Sequence, residues 1–181
     1  MPRDWEAYYR VLTGPDAPAF VVRAYAGLLP AGPVLDLAGG AGRNAFFLAE
    51  GGRRVVLLER SLEALRRVRA RAARLGLPVY ALYQDLEGEE PLPPGPFAGA
   101  VMSYFVHRPL FSRVHGVLQS GGLLLIEGFS RREALRRGRE KSPRYWEAGE
   151  LARPALGFEL VAFGEGRIAL AERSWAVWRR L

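Results

Sequence analysis

Apolar positions change their spacing along the chain. The change separates a helical N-terminal stretch from a longer region of alternating strands and helices. Trp5, Tyr8, Tyr9 and Leu12 recur at helical spacing and predict a short helix over 4–12. Thr13-Gly14-Pro15-Asp16 breaks it. A second amphipathic helix is predicted over 17–29, with Phe20, Tyr25 and Leu28 facing a core, and Pro30-Ala31-Gly32-Pro33 ends it. From Val34 onward, apolar runs of strand length fall at 34–37, 54–58, 79–83, 97–104 and 122–127. Helical patterns lie between and after them, at 43–50, 62–75, 109–118, 131–139 and 147–155. Ser61 is placed to open the 62–75 helix as its N-cap, and Gly76 to close it. Two last strands are predicted over 158–163 and 168–177. Only Gly164-Glu165-Gly166-Arg167 joins them, too short a link for a crossover, so they form an antiparallel hairpin.

The short, unbroken apolar runs imply strands buried on both faces, as in a parallel sheet covered by helices. Alternating strand–helix units predict an α/β fold. It is a single doubly wound, Rossmann-like sheet of seven strands, mostly parallel, with an antiparallel C-terminal hairpin and helices on both faces. Residues 1–30 read as a helical lid, and 31–181 as the nucleotide-binding domain.

Composition narrows the class. A length of 181 residues suits one domain, and 49% hydrophobic with 25% charged residues is the balance of a folded chain. No apolar run reaches membrane-span length, and the longest, around 121–126, stops at Glu127. The segment Met1-Pro2-Arg3-Asp4-Trp5-Glu6 lacks the apolar core of a secretory signal, so a cytoplasmic location is expected. Cysteine is absent, which excludes disulfides and thiolate metal sites, and no metal is expected. The net charge is +7, and Lys141 is the only lysine among 26 basic residues. Such an excess can mark a nucleic-acid partner. However, Arg66, Arg67, Arg69, Arg71 and Arg74 wrap around their helix without forming one stripe, which reads as a solvated face.

Candidate chemistry collects at the carboxyl ends of the strands, where open α/β sheets bind ligands. Asp36 lies in the first strand, Glu59 ends the second and Asp85 follows the third. Gly39, Gly40 and Gly42 make the first turn, and Arg43-Asn44 starts the helix after it. Two cofactors fit such a turn. Gly40-Ala41-Gly42-Arg43-Asn44-Ala45 matches a dinucleotide pattern, with Glu59 as its acid. Asp36 argues the other way, because a carboxylate just before the loop suits a cationic amino-acid moiety rather than a pyrophosphate. Asp85 offers an acceptor to an adenine amino group.

At this point the chain resembles the class I S-adenosylmethionine-dependent methyltransferases, from about Pro33 onward. The loop motif is carried by Asp36-Leu37-Ala38-Gly39-Gly40-Ala41-Gly42, with Ala38 where the family usually has its first glycine. Ala98 stands where the fourth strand often opens with Phe-Asp. The resemblance implies S-adenosyl-L-methionine as cofactor, held by Asp36, Ala38, Gly40, Gly42, Asn44, Glu59, Arg60, Asp85, Leu86 and Ser103. Glu59 takes the ribose hydroxyls in this scheme, and Asp85 with Leu86 the adenine. A closer resemblance is to the small tellurite-resistance-type methyltransferases. It rests on the run from Gly42 to Ala49, on His107-Arg108-Pro109-Leu110-Phe111, and on Glu147-Ala148-Gly149-Glu150-Leu151. In those enzymes an aromatic N-terminal helix lies over the cofactor, a position that Tyr8-Tyr9 match; Arg167 and Arg173 are the basic residues near the terminal hairpin.

A sulfonium methyl is already activated, so the protein's task is to position a nucleophile. The fourth strand ends in Ser103-Tyr104-Phe105-Val106-His107-Arg108. Tyr104 and His107 are the candidate catalytic residues: Tyr104 can orient a substrate and His107 can take a proton. Tyr9 and Arg108 are the candidate substrate contacts, Arg108 for an anion. Methylation of carbon 5 of a pyrimidine is excluded, because it needs a thiolate. Met102-Ser103-Tyr104-Phe105 also differs from the Asn/Asp-Pro-Pro-Tyr/Phe segment of enzymes that methylate exocyclic amino groups of bases. A small-molecule acceptor is therefore expected. RNA or protein methylation through the arginine-rich surface is the alternative, and a dinucleotide-binding protein of the NAD type a further one.

Overall fold

A computed structural model describes residues 4–12, 17–153 and 155–181. Seven strands form one sheet: β1 (Val34–Leu37), β2 (Val55–Glu59), β3 (Val79–Tyr83), β4 (Phe97–Ser103), β5 (Leu118–Phe129), β6 (Phe158–Ile168) and β7 (Ala171–Arg180). Their order across the sheet is β3-β2-β1-β4-β5-β7-β6. The first five pair in parallel, and β7 runs antiparallel to both β5 and β6. The helices are α1 (Trp5–Val11), α2 (Phe20–Tyr25), α3 (Arg43–Glu50), α4 (Leu62–Leu75), α5 (Leu110–Val117) and α6 (Arg131–Arg136).

Strand alternation divides the core between the two sheet faces. Val34, Val101, Leu123, Leu125 and Val177 face α2, α3 and α4, whose Val21, Val22, Phe46, Leu48, Leu65 and Val68 are buried there. Leu35, Leu37, Met102, Leu124, Ile126 and Trp178 face the other way, onto Leu110 and Val114 of α5 and onto Trp146. The doubly wound sheet with its antiparallel terminal hairpin is thus the architecture expected from the sequence.

Four local expectations are corrected. The second helix spans only Phe20–Tyr25 and passes into a 3-10 turn over Ala26–Leu28. Its buried side chains are Val21 and Val22, while Leu28 is exposed, because the helix lies against β5 and β7 through its valines. This packing makes α2 part of the main core and leaves α1 alone over the sheet's carboxyl edge. The 131–139 helix stops at Arg136, with Gly138 at a positive φ just beyond. The 147–155 segment is only a 3-10 turn, Glu150–Ala152.

The terminal hairpin turns at Ala169-Leu170, not at Gly164–Arg167. Gly164 lies within β6 for a packing reason: a Cβ there would sit 2.4 Å from the Trp175 ring. The break at Thr13-Gly14-Pro15-Asp16 lies outside the described residues.

Candidate functional site

The strand order reverses between β1 and β4, and the crevice at such a reversal is where open sheets bind ligands. A cleft of about 450 Å³ opens there. Its floor is the Ala38–Ala41 turn after β1, and one side carries Glu59, Arg60, Asp85, Leu86 and Glu87. The other side is made by Ser103–Val106, Phe129, Arg43, Arg137, Arg144 and Arg173, while Trp5, Tyr8, Tyr9 and Leu12 close over the top.

The glycine turn has the features of a cradle. Ala38, Gly40 and Gly42 all have positive φ, at 53°, 55° and 82°. That conformation is costly for alanine, which gives a reason for glycine at the first position of such loops. A Cβ on Gly40 would meet Tyr9 Oη at 2.3 Å, so the roof rests directly on the turn. Beneath it, Asp36 is fully buried, with Asn44 and the Ala45 N–H near its carboxylate but no hydrogen bond of ordinary geometry to either oxygen. Burial pushes its pKa up to about 7, partly offset by the nearby Arg43 guanidinium. A buried carboxylate so placed under a glycine turn fits a cationic ligand above it.

Glu59 braces the same turn. Its Oε2 accepts from Gly40 N at 2.9 Å, and its Oε1 from Arg60 N and Ser61 N at 2.8 Å each. The carboxylate keeps acceptor capacity toward the cleft it lines. Asp85 Oδ1 accepts from Glu87 N at 3.1 Å. Arg60 pairs with Asp85 at 3.5 Å and with Glu87 at 2.9 Å. Leu86 is buried beside them.

The remaining expected residues divide. Asn44 does not reach the cleft wall: it is buried, donates to Ser103 Oγ at 2.7 Å and accepts from Ala19 N at 2.9 Å. It therefore fixes Ser103, which does line the cleft. Gly42 also lies behind the wall, with Phe46 packed where a Cβ would go. Tyr104 has a left-handed φ of 57° and turns the chain at the end of β4. Ser103 to Val106 consequently face the cleft, and His107 and Arg108 fall beyond its rim. His107 stacks on Phe105 with ring centroids 6.0 Å apart. Arg108 is bound by Glu150 at 2.5 Å, donates to Pro143 O and Tyr145 O, and lies over Trp146. The expected anion contact is therefore spent on an internal ion pair. Tyr9 sits on the roof over Gly40 rather than on the wall with Tyr104.

Glu127 is a centre that the sequence reading passed over. It is fully buried at the end of β5, opposite Ser103. Its carboxylate accepts from Tyr104 Oη at 2.7 Å, from Arg173 at 2.8 Å and from Val21 N at 2.9 Å. Burial and Glu127 together hold the Tyr104 phenol well above its usual pKa. The phenol keeps its proton and serves as a fixed hydrogen-bonding group. A signal was present, since Glu127 interrupts an apolar run at a strand's carboxyl end. Among the described residues, no group of three or more His, Asp or Glu side chains is placed to hold a metal ion, and no helix is long and apolar enough to cross a membrane.

Residues 34–122 match a family model described as a methyltransferase domain. No curated protein matches the chain. Among solved structures, one described under the conversion of a disulfide bond into a thioacetal group during echinomycin biosynthesis is 22% identical. It covers 99% of this chain and 93% of its own, with a TM-score of 0.78. TehB from Haemophilus influenzae is 16% identical, covers 98% of this chain and 67% of its own, and has a TM-score of 0.76. The glycopeptide N-methyltransferase MtfA, solved with S-adenosylmethionine, is 17% identical over 91% of this chain and 88% of its own, with a TM-score of 0.67. At these identities the likeness is one of fold, and the methyltransferase-domain match covers residues 34–122. The glycine turn, the buried Asp36 and the acids at the next two strand ends all lie within the matched residues 34–122, and together with that match they support a class I S-adenosylmethionine-dependent methyltransferase.

Proposed function

We propose that the chain methylates a small molecule held in the cleft beneath α1. The carrying observation is the shared enclosure. The glycine turn, Glu59, Asp85, Ser103 and Tyr104 all line one cleft of about 450 Å³ roofed by aromatic side chains. That volume is on the scale of small-molecule sites, about 300–1,000 Å³. A macromolecular acceptor would have to enter under the roof.

In this reading the Ala38–Gly42 turn, with Asp36 beneath it, takes the amino-acid end of the cofactor. Glu59 takes the ribose, and Asp85 with Leu86 the adenine. The bound cofactor supplies a methyl group made electrophilic by its sulfonium. Ser103, held by Asn44, and Tyr104, held by Glu127, order the opposite wall. Tyr104 keeps its proton, so it orients an acceptor and does not deprotonate it. Among the described residues, the carboxylates that line the cleft are Glu59, Asp85 and Glu87, on the side this reading gives to the cofactor, which favours acceptors whose nucleophile has no proton to lose or ionises near neutral pH. Helix α1 excludes water over the turn. A place near the small tellurite-resistance-type enzymes rests on the segments 42–49, 107–111 and 147–151, and a cytoplasmic location on the N-terminal sequence. Transfer of a labelled methyl group, screened over thiols, oxyanions, small metabolites and RNA, tests the proposal. Label should appear on a small molecule; label on RNA alone would reject the reading.

A further inference from the structure

We infer that the acceptor is an organic anion, a carboxylate on an apolar body, with the carboxylate held by Arg43 and Arg144 and the body against the apolar surface of the same wall. The inference rests on the proposal above that the cleft takes a small acceptor.

The two sides of the cleft carry opposite charge. On the side of the glycine turn, Glu59, Asp85 and Glu87 face the cleft with Arg60, which pairs with two of them. On the opposite wall stand Arg43, Arg137, Arg144 and Arg173. Two of these four are answered. Arg173 is paired with the buried Glu127 at 2.8 Å, and Arg137 shares Glu133 with Arg136 at 2.5 and 2.7 Å. Among the described residues, neither Arg43 nor Arg144 has a carboxylate within 4.0 Å. Apart from the buried Asp36 that Arg43 faces, no carboxylate among the described residues answers these two guanidiniums, and positive charge on a concave wall draws an anion to it.

The same wall is aromatic. The Tyr104 and Phe129 ring centroids lie 5.0 Å apart, with the planes tilted by 51°. Arg43 lies 4.5 Å over the Tyr104 ring and Arg137 4.4 Å over the Phe129 ring. The stacked Arg43 guanidinium is held in place, with a planar donor fork that matches a carboxylate. Arg173 also lies 5.2 Å over the Tyr104 ring, so the ring edges, with Phe105 and Val106, are the apolar surface the wall offers, and an inorganic oxyanion would leave that surface unused. A cationic acceptor would meet repulsion. A carboxylate with an apolar body uses both features.

The test is calorimetry on protein saturated with S-adenosylhomocysteine. The probes are 4-hydroxybenzoate, its neutral amide 4-hydroxybenzamide, and sulfate. The benzoate should bind at least about tenfold more tightly than the amide, as expected for a charge-assisted pair. In Arg144→Gln, an exposed site where folding is not at issue, that preference should fall toward unity while S-adenosylhomocysteine still binds. Arg43→Gln should lower it as well. Equal affinity for benzoate and amide in the wild-type protein would overturn the inference. So would sulfate binding as tightly as the benzoate, because the apolar body would then contribute nothing. Failure of S-adenosylhomocysteine to bind would instead count against the cofactor reading, and the two failures are separable in one experiment.

Discussion

A carboxylate sealed under a glycine turn without a hydrogen bond of ordinary geometry costs free energy that a cation above the turn can recover. Asp36 is in that position, and its pKa stands at about 7 against an ordinary 3.8. Between those values the folded chain binds a proton that the unfolded chain does not. The stability from this group is therefore complete below the ordinary pKa and is lost as the pH rises through about 7. Asp36→Asn should flatten that part of the pH–stability curve. A cationic ligand over the turn favours the ionised form, so S-adenosylmethionine binding at slightly acid pH should release protons. Titrations in buffers of different ionisation enthalpy would detect this, and Asp36→Asn should abolish it. Glu59 acts at the same turn through the Gly40 N–H and ties it to the end of β2 through the N–H groups of Arg60 and Ser61. Glu59→Ala should destabilise the fold by about 1–3 kcal/mol in urea titration. The acids at the strand ends were legible in the sequence because their place follows from strand boundaries alone. The fate of Arg108 was not, since its partner Glu150 is 42 residues away and only the turn at Tyr104 carries it past the rim.

At the scale of elements, α1 is fastened to α4 by polar contacts more than by core packing. None of its residues is fully buried. The Glu6 carboxylate accepts from Leu62 N at 2.7 Å and from Glu63 N at 3.0 Å, at the start of α4. Arg67 of α4 donates in return to Leu12 O at 2.7 Å and Arg10 O at 2.8 Å. An anion at a helix N-terminus stabilises it by about 0.3–1 kcal/mol. Glu6→Ala should thus leave the domain folded while amide hydrogen exchange in α1 speeds up. Gly40→Ala should act on the same element from below, by driving a methyl group into Tyr9 Oη, and should weaken cofactor binding. Unchanged exchange in Glu6→Ala would show that α1 is held by other contacts. The helix was legible from its aromatic spacing. The hairpin turn was misplaced because glycine signals both turns and close packing, and at Gly164 the packing of Trp175 is the cause.

For the molecule as a whole, the arginine excess bears on the kind of partner. Much of it is used internally. Arg66 and Arg67 pair with Glu63, Arg69 donates to Ala81 O, and Arg71 lies 4.0 Å over Phe46. These contacts leave little of α4 as a continuous cationic strip, so binding to a short single-stranded RNA should be weak, with a shallow salt dependence. The doubly wound sheet was legible because both-face burial leaves a plain apolar signature in each parallel strand. The arginine-rich wall of the cleft was not, because Arg43, Phe129, Arg137, Arg144 and Arg173 come together only through the final topology. The most direct test of the account is calorimetric titration of S-adenosylhomocysteine into the wild-type protein and into Glu59→Ala, with NAD as the control ligand. The wild type should bind S-adenosylhomocysteine and not NAD, and the variant should bind it at least about tenfold more weakly. Binding of NAD without S-adenosylhomocysteine, or equal affinity in both proteins, would contradict the account.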